Sequence, residues 1–285
     1  MAKKTPANAR QQAALQARKA AEAQAAADKR RTAVLAGIGG LLLVALFGWL
    51  IYFIVSSGTV SALADVENQP LGATDAGGIL VGAEGAPIED AGDAMVVDVY
   101  FDFMCPYCGI FEETNAADLD ELREAGEIAV EYHPLEFLNR FSQGTDYSTR
   151  SANAFATVAA EAPEDTVAFM QALVANQPAE NTEGLSDSQM AEIAVGVGVP
   201  QEVADTFSDG IYEEWVAAAT TEASQGAGVT GTPSVFVDGE NLYGMRTTTA
   251  FDDFNTTMEG DDVIGLDYVQ TPGALRAYLD WALAN

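Results

Sequence analysis

Phe101-Asp102-Phe103-Met104-Cys105-Pro106-Tyr107-Cys108 contains both cysteines of a 285-residue chain, two residues apart. The run from Met95 to Phe103 leads into it with β-branched and aromatic residues, the pattern of a buried strand. A helical pattern follows over about 105–125, with Phe111, Asn115, Leu119 and Leu122 on one face and Gly126 as its stop. Pro106 suits the first turn of that helix, where its missing N–H costs nothing. Cys105 is therefore expected at the helix N-terminus, where free N–H groups and the macrodipole favour an anion. A thiolate is such an anion, and it is the reactive form of cysteine. Cys108 lies one turn further in, within reach of a disulfide.

Three chemistries compete for this C-x-x-C. Its place between a strand and a helix favours a thiol–disulfide redox pair. A zinc site needs about four ligands, and beyond two cysteines the chain offers one histidine, His133. A structural disulfide closing so short a loop constrains the unfolded chain little. The redox pair leads, with the other two still open.

The net charge of −30 is unevenly spread. Residues 1–31 carry eight Lys or Arg against Glu22 and Asp28, whereas everything after residue 55 has five arginines, no lysine and 41 acids. So acidic a region repels nucleic acid, which is excluded as a partner. Its simplest meaning is a solvated surface tuned for solubility.

Residues 1–32 read as a basic, partly helical cytoplasmic tail. Residues 33–55 carry no charge and are rich in Leu, Ile, Val, Phe and Gly. At 1.5 Å each they span about 34 Å, enough for a hydrocarbon core of roughly 30 Å. Trp49 and Tyr52 fall near the far end, as interface anchors do, and Lys29, Arg30 and Arg31 precede the span. A single membrane crossing is expected, with the tail inside and the rest outside. The alternative is a signal peptide cleaved after Ala64, but the apolar run is longer than such peptides carry. Residues 56–92, rich in Gly, Ala, Ser, Asp and Glu, read as a flexible linker with a reach on the order of 30–35 Å.

The domain is expected over 93–285. After the redox helix, Ile128 to Tyr132 is a second strand, which His133-Pro134 breaks, making His133 a loop residue. A helical block follows over about 140–226, interrupted at Pro163. Ser186 with Gln189 forms a capping box inside it. Ser234 to Val237 is a short strand, Asp238-Gly239 a hairpin turn, and Glu240 to Tyr243 the return. Helices near 248–258 and 272–284 close the chain.

Three features together resemble the DsbA-like branch of the thioredoxin superfamily: Asp102 through Cys108, the helical block, and Gly231-Thr232-Pro233 ahead of a strand. The resemblance covers roughly residues 93–285. It implies an α/β thioredoxin fold with an inserted helical domain, preceded here by one transmembrane helix. It also implies thiol:disulfide oxidoreductase activity, with Cys105 and Cys108 catalytic. Pro106, Tyr107, Thr232 and Pro233 would contact substrate, and Pro233 would be cis beside the sulfurs. No metal is implied, nor any cofactor beyond the redox-active disulfide Cys105–Cys108. The implied partners are reduced, unfolded secreted proteins and a membrane oxidase that reoxidises the pair. A reductase or isomerase would use the same residues, and a tethered binding or chaperone domain would use the groove beside Pro233 without the thiols.

One departure stands out. Such proteins often carry a buried acid six residues before the first cysteine, and here that position is Val99. Asp98 and Asp102 fall on the opposite face by strand alternation. Asp102 is expected to cap the helix or lie exposed, and water or another carboxylate such as Glu136 would serve Cys108.

Overall fold

The computed structural model describes residues 62–242 and 268–285. The expected tail 1–32, span 33–55, start of the linker, Tyr243 and the helix near 248–258 lie outside them. Among the described residues no helix is long and apolar enough to cross a membrane.

Among the described residues a five-stranded sheet organises the domain. Its strands are β1 (Ile79–Val81), β2 (Met95–Phe101), β3 (Ile128–Pro134), β4 (Ser234–Val237) and β5 (Glu240–Asn241), in the order β1-β3-β2-β4-β5. β2 runs parallel to β3, and the other pairings are antiparallel. The parallel pair requires a crossover, and α1 (Pro106–Glu124) supplies it, burying Phe111, Asn115, Leu119 and Leu122. Gly126, at φ +74°, then turns the chain as expected.

Between β3 and β4 come α2 (Tyr147–Glu161), α3 (Thr166–Ala175), α4 (Asp187–Val197), the short α5 (Gln201–Ala204) and α6 (Glu213–Gln225). These are the expected helical block. The capping box of Ser186 and Gln189 is formed, and a 3-10 turn at Pro163–Asp165 separates α2 from α3. The final helix is α7 (Ala274–Ala284). Phe155 of α2 fixes the block to the sheet: its ring lies 6.1 Å from those of Phe101 and Phe103 and 6.4 Å from that of Tyr132. Asp238 and Gly239 both take positive φ, the type I′ geometry that suits the twist of the β4–β5 hairpin.

Two expectations need correction. Residues 62–92 are not a flexible linker. β1 pairs with β3 across Ile79↔Tyr132 to Val81↔Val130, and Ile79 and Val81 are wholly buried. The domain therefore begins well before residue 93. Nor does His133-Pro134 break β3. Both residues pair with β2 (Tyr100↔His133, Phe101↔Pro134), and the proline takes the last position of the strand. His133 is wholly buried and stacks on Tyr100 at 3.9 Å.

Candidate active site

β2 delivers the chain to a tight turn, Asp102 to Cys105, closed by the Cys105 N–H donating to the Asp102 carbonyl at 2.9 Å. α1 begins at Pro106, with Cys105 as its N-cap residue, as the proline and the helix pattern required. Its Sγ lies 3.3 Å from the carbonyl oxygen of Thr232, and the Thr232–Pro233 peptide is cis. The structure thus joins Cys105, Cys108, Thr232 and Pro233, which come from two distant stretches of chain. Tyr107, 54% exposed, and Pro106, also exposed, sit on the solvent side.

The two cysteines are free thiols with opposite electrostatics. A hydrogen bond from the Cys108 thiol lowers Cys105 most; burial opposes this, while the Thr232 side chain and the backbone N–H groups of Cys108 and Tyr107 add to the lowering, and Cys105 settles at about 6. Cys108 is pushed well above the ordinary thiol range, first by burial and then by its interactions with Cys105. One sulfur is prepared to be a thiolate at neutral pH and the other to hold its proton. As whole residues they differ little in exposure, at 5% and 3%.

Asp102 is neither exposed nor the N-cap of α1. It is wholly buried and accepts three hydrogen bonds: from Met104 N and Ser148 Oγ on Oδ1, both at 2.8 Å, and from Leu138 N on Oδ2 at 2.9 Å. Burial outweighs these bonds and lifts its carboxyl to about 7, with the charge of Cys105 adding to the rise. Its charge also raises Cys108. A buried acid thus stands three residues before Cys105, while the position six residues before it is Val99. Glu136 bonds instead to Asn139 and Thr149.

Residues that sequence reasoning missed complete the site. Gln177, just beyond α3, donates from Nε2 to the carbonyls of Phe103 at 2.9 Å and Cys105 at 2.8 Å. Gly109 leaves room for it, since a Cβ there would stand 2.9 Å from Gln177 Oε1. No local signal marks Gln177 or Ser148. For Asp102 one existed: an acid among apolar strand residues is seldom buried without partners.

Among the described residues, the one group of His, Cys, Asp or Glu with atoms close enough for a metal ion is Asp98, Glu131 and His133, which includes neither cysteine. His133 Nε2 lies 3.1 Å from Asp98 Oδ1 and 3.4 Å from Glu131 Oε1. The histidine needed to extend a C-x-x-C zinc site is thus committed to carboxylates on the sheet.

Comparisons with known proteins agree with this geometry. A family model described as thioredoxin matches residues 76–256. The serine/threonine-protein kinase PknE of Mycobacterium tuberculosis is 31% identical over 166 residues, 56% of this chain and 28% of the kinase. The chain thus matches little more than a quarter of the length of these curated relatives. Among solved structures, the MdbA thiol-disulfide oxidoreductase of Actinomyces oris superposes with a TM-score of 0.52 at 26% identity, covering 71% of this chain and 98% of that one. Reduced DsbA of M. tuberculosis gives 0.50 at 28% identity, covering 68% and 97%. BdbD of Bacillus subtilis gives 0.54 at 14% identity, covering 77% and 98%, a likeness of fold alone.

Proposed function

The chain belongs to the thioredoxin family, and from that premise we propose that it is an extracytoplasmic thiol:disulfide oxidoreductase that oxidises thiols of secreted or surface proteins through Cys105 and Cys108. Its fold is the mixed α/β thioredoxin-like one with a helical insertion. Thiol–disulfide exchange is its chemistry, in keeping with its likeness to the MdbA thiol-disulfide oxidoreductases of Actinomyces oris and Corynebacterium diphtheriae. The observation that carries the reading is the place of Cys105 at the N-terminus of α1, with its sulfur 3.3 Å from the Thr232 carbonyl.

In the oxidised enzyme a substrate thiolate attacks Cys105 Sγ. The Cys105–Cys108 bond breaks, a mixed disulfide forms, and Cys108 leaves as a thiolate. Burial makes that thiolate costly, so it takes up a proton at once, and Asp102 is the buried acid at hand. The substrate's second thiolate then attacks its own bonded sulfur, and Cys105 leaves as the thiolate that its surroundings favour. Two electrons have passed from substrate to enzyme. The mechanism needs no other cofactor. An extended substrate segment pairs with the Thr232 backbone by strand addition. Pro106 and Tyr107 form the exposed edge it meets.

The uncharged run at 33–55, with its basic flank, supports a single-pass anchor that holds the domain outside the cell membrane. Reoxidation falls to a membrane oxidase, quinone-linked, in the same bilayer. The test pairs two assays of the full-length chain: reoxidation of a reduced, unfolded disulfide protein, and reduction of insulin. Fast reoxidation with slow insulin reduction is expected. The reverse would make the protein a reductase, and inactivity in both, unchanged by Cys105→Ser, would make it a binding module.

A further inference from the structure

A groove of about 670 Å³ runs between α1 and α3, starting at Pro106, the neighbour of Cys105. Volumes of this order hold small ligands or single side chains. Ile110, Val174 and Ala175 contribute an apolar wall, and Glu112 lines the interior. Glu112 as a residue is only partly buried, yet its Oε1 is shielded from solvent and has no hydrogen-bond partner. Such an orphaned buried acceptor costs free energy until a donor reaches it. Burial, with the charge of Asp120 behind it, lifts the carboxyl to about 7, and a hydrogen bond with Gln171 only partly offsets this.

A groove with one apolar wall, ending on a carboxyl whose Oε1 lacks a partner, fits one kind of side chain: a methylene stem with a cationic head, as in lysine and arginine. The surroundings point the same way, since the chain beyond residue 55 carries 41 acids against five arginines and attracts cationic segments. Glu112 lies seven residues after Cys105, about 10 Å along the helix axis. A substrate segment advances about 3.3 Å per residue when extended.

We propose that the α1–α3 groove is a specificity subsite that seats a lysine or arginine two or three residues from the reacting cysteine of a substrate polypeptide, with the cationic head hydrogen-bonded to Glu112. This rests on the oxidoreductase reading for its substrate, but the subsite itself can be read without chemistry.

The test uses the full-length chain and two families of labelled peptides. In the first, a reduced two-cysteine peptide carries lysine, norleucine or glutamate three residues from the first cysteine, and kcat/KM of its oxidation is measured. In the second, serine replaces both cysteines, and binding is read by fluorescence anisotropy. Wild type should prefer lysine to norleucine about tenfold in both, the size of one partly buried charge-assisted bond. Glu112→Gln should bring both ratios near 1. Ala175→Trp, which fills the groove from its exposed side, should do the same while leaving Glu112 intact. Equal treatment of lysine and norleucine by wild type, or a preference that survives both substitutions, would overturn the subsite. Serine peptides that bind with the lysine preference while cysteine peptides go unoxidised would uphold the subsite and sink the redox reading instead.

Discussion

Ser148 Oγ donates to Asp102 Oδ1 across 2.8 Å, joining the first helix of the insertion to the turn that carries Cys105. With Met104 N and Leu138 N also donating, the buried carboxyl has one fixed orientation between the strand end and the helical block. A group held in this way, with acidity near neutral, suits proton transfer.

Asp102→Asn should therefore slow the return of a proton to Cys108. The substitution keeps the volume and an oxygen for Met104 N and Ser148. Release of Cys108 should fall about tenfold or more, read as slower formation of an acid-quenched mixed disulfide at pH 7. A rate equal to wild type would assign the proton to water.

The same group and Cys105 give opposite pH dependences of stability in the reduced protein. The raised pKa of Asp102 means that between about pH 4 and 7 the folded state holds a proton the unfolded state has lost, so stability falls as pH rises. The lowered pKa of Cys105 means that between about pH 6 and 9 the folded state has released a proton the unfolded state keeps, so stability rises with pH. At pH 7 the thiolate contributes on the order of 1 kcal/mol. Denaturant midpoints of reduced wild type, Asp102→Asn and Cys105→Ser across pH 4–9 check both slopes. Between pH 6 and 7 the two slopes oppose each other, so a flat wild-type profile from pH 7 to 9 would remove the thiolate from the account.

The redox helix was readable from sequence because its signals are local. Pro106 marks the first turn, Phe111, Asn115, Leu119 and Leu122 mark the buried face, and Gly126 marks the end. β1 was not readable, because Ile79-Leu80-Val81 is short, lies in a Gly- and Asp-rich stretch, and is stabilised by Val130 and Tyr132 some fifty residues away. The sequence misplaces His133 because the proline after it reads as a breaker, although a strand tolerates proline at its end. The alternation that set Asp102 opposite Val99 could not reveal Ser148 or Leu138 as its partners. Glu112 and Gln177 act between helices, where a single sequence gives no spacing to read.

Gln177→Ala should loosen the turn before α1, because two carbonyls lose their donor at once. A loss of about 1–3 kcal/mol of stability is expected, together with a rise in the pKa of Cys105 as its N–H donors lose their fixed orientation. Thiolate absorbance against pH measures the second effect, which a purely structural role would leave unmoved. Gln177→Glu should not restore it, since a carboxylate cannot donate to the two carbonyls.

Topology has its own test. Protease added to protoplasts should degrade the domain beyond residue 62, while a tag placed before Lys3 stays protected. Full protection of the domain would contradict the orientation argued from Lys29, Arg30 and Arg31.

The most direct measurement is the equilibrium reduction potential of the Cys105–Cys108 pair in the full-length chain, titrated against glutathione. A thiolate stabilised in the reduced protein makes the disulfide oxidising. The account predicts a potential well above that of thioredoxin, toward the −120 mV of strong thiol oxidants. A value at or below about −270 mV would contradict it and make the protein a donor of electrons.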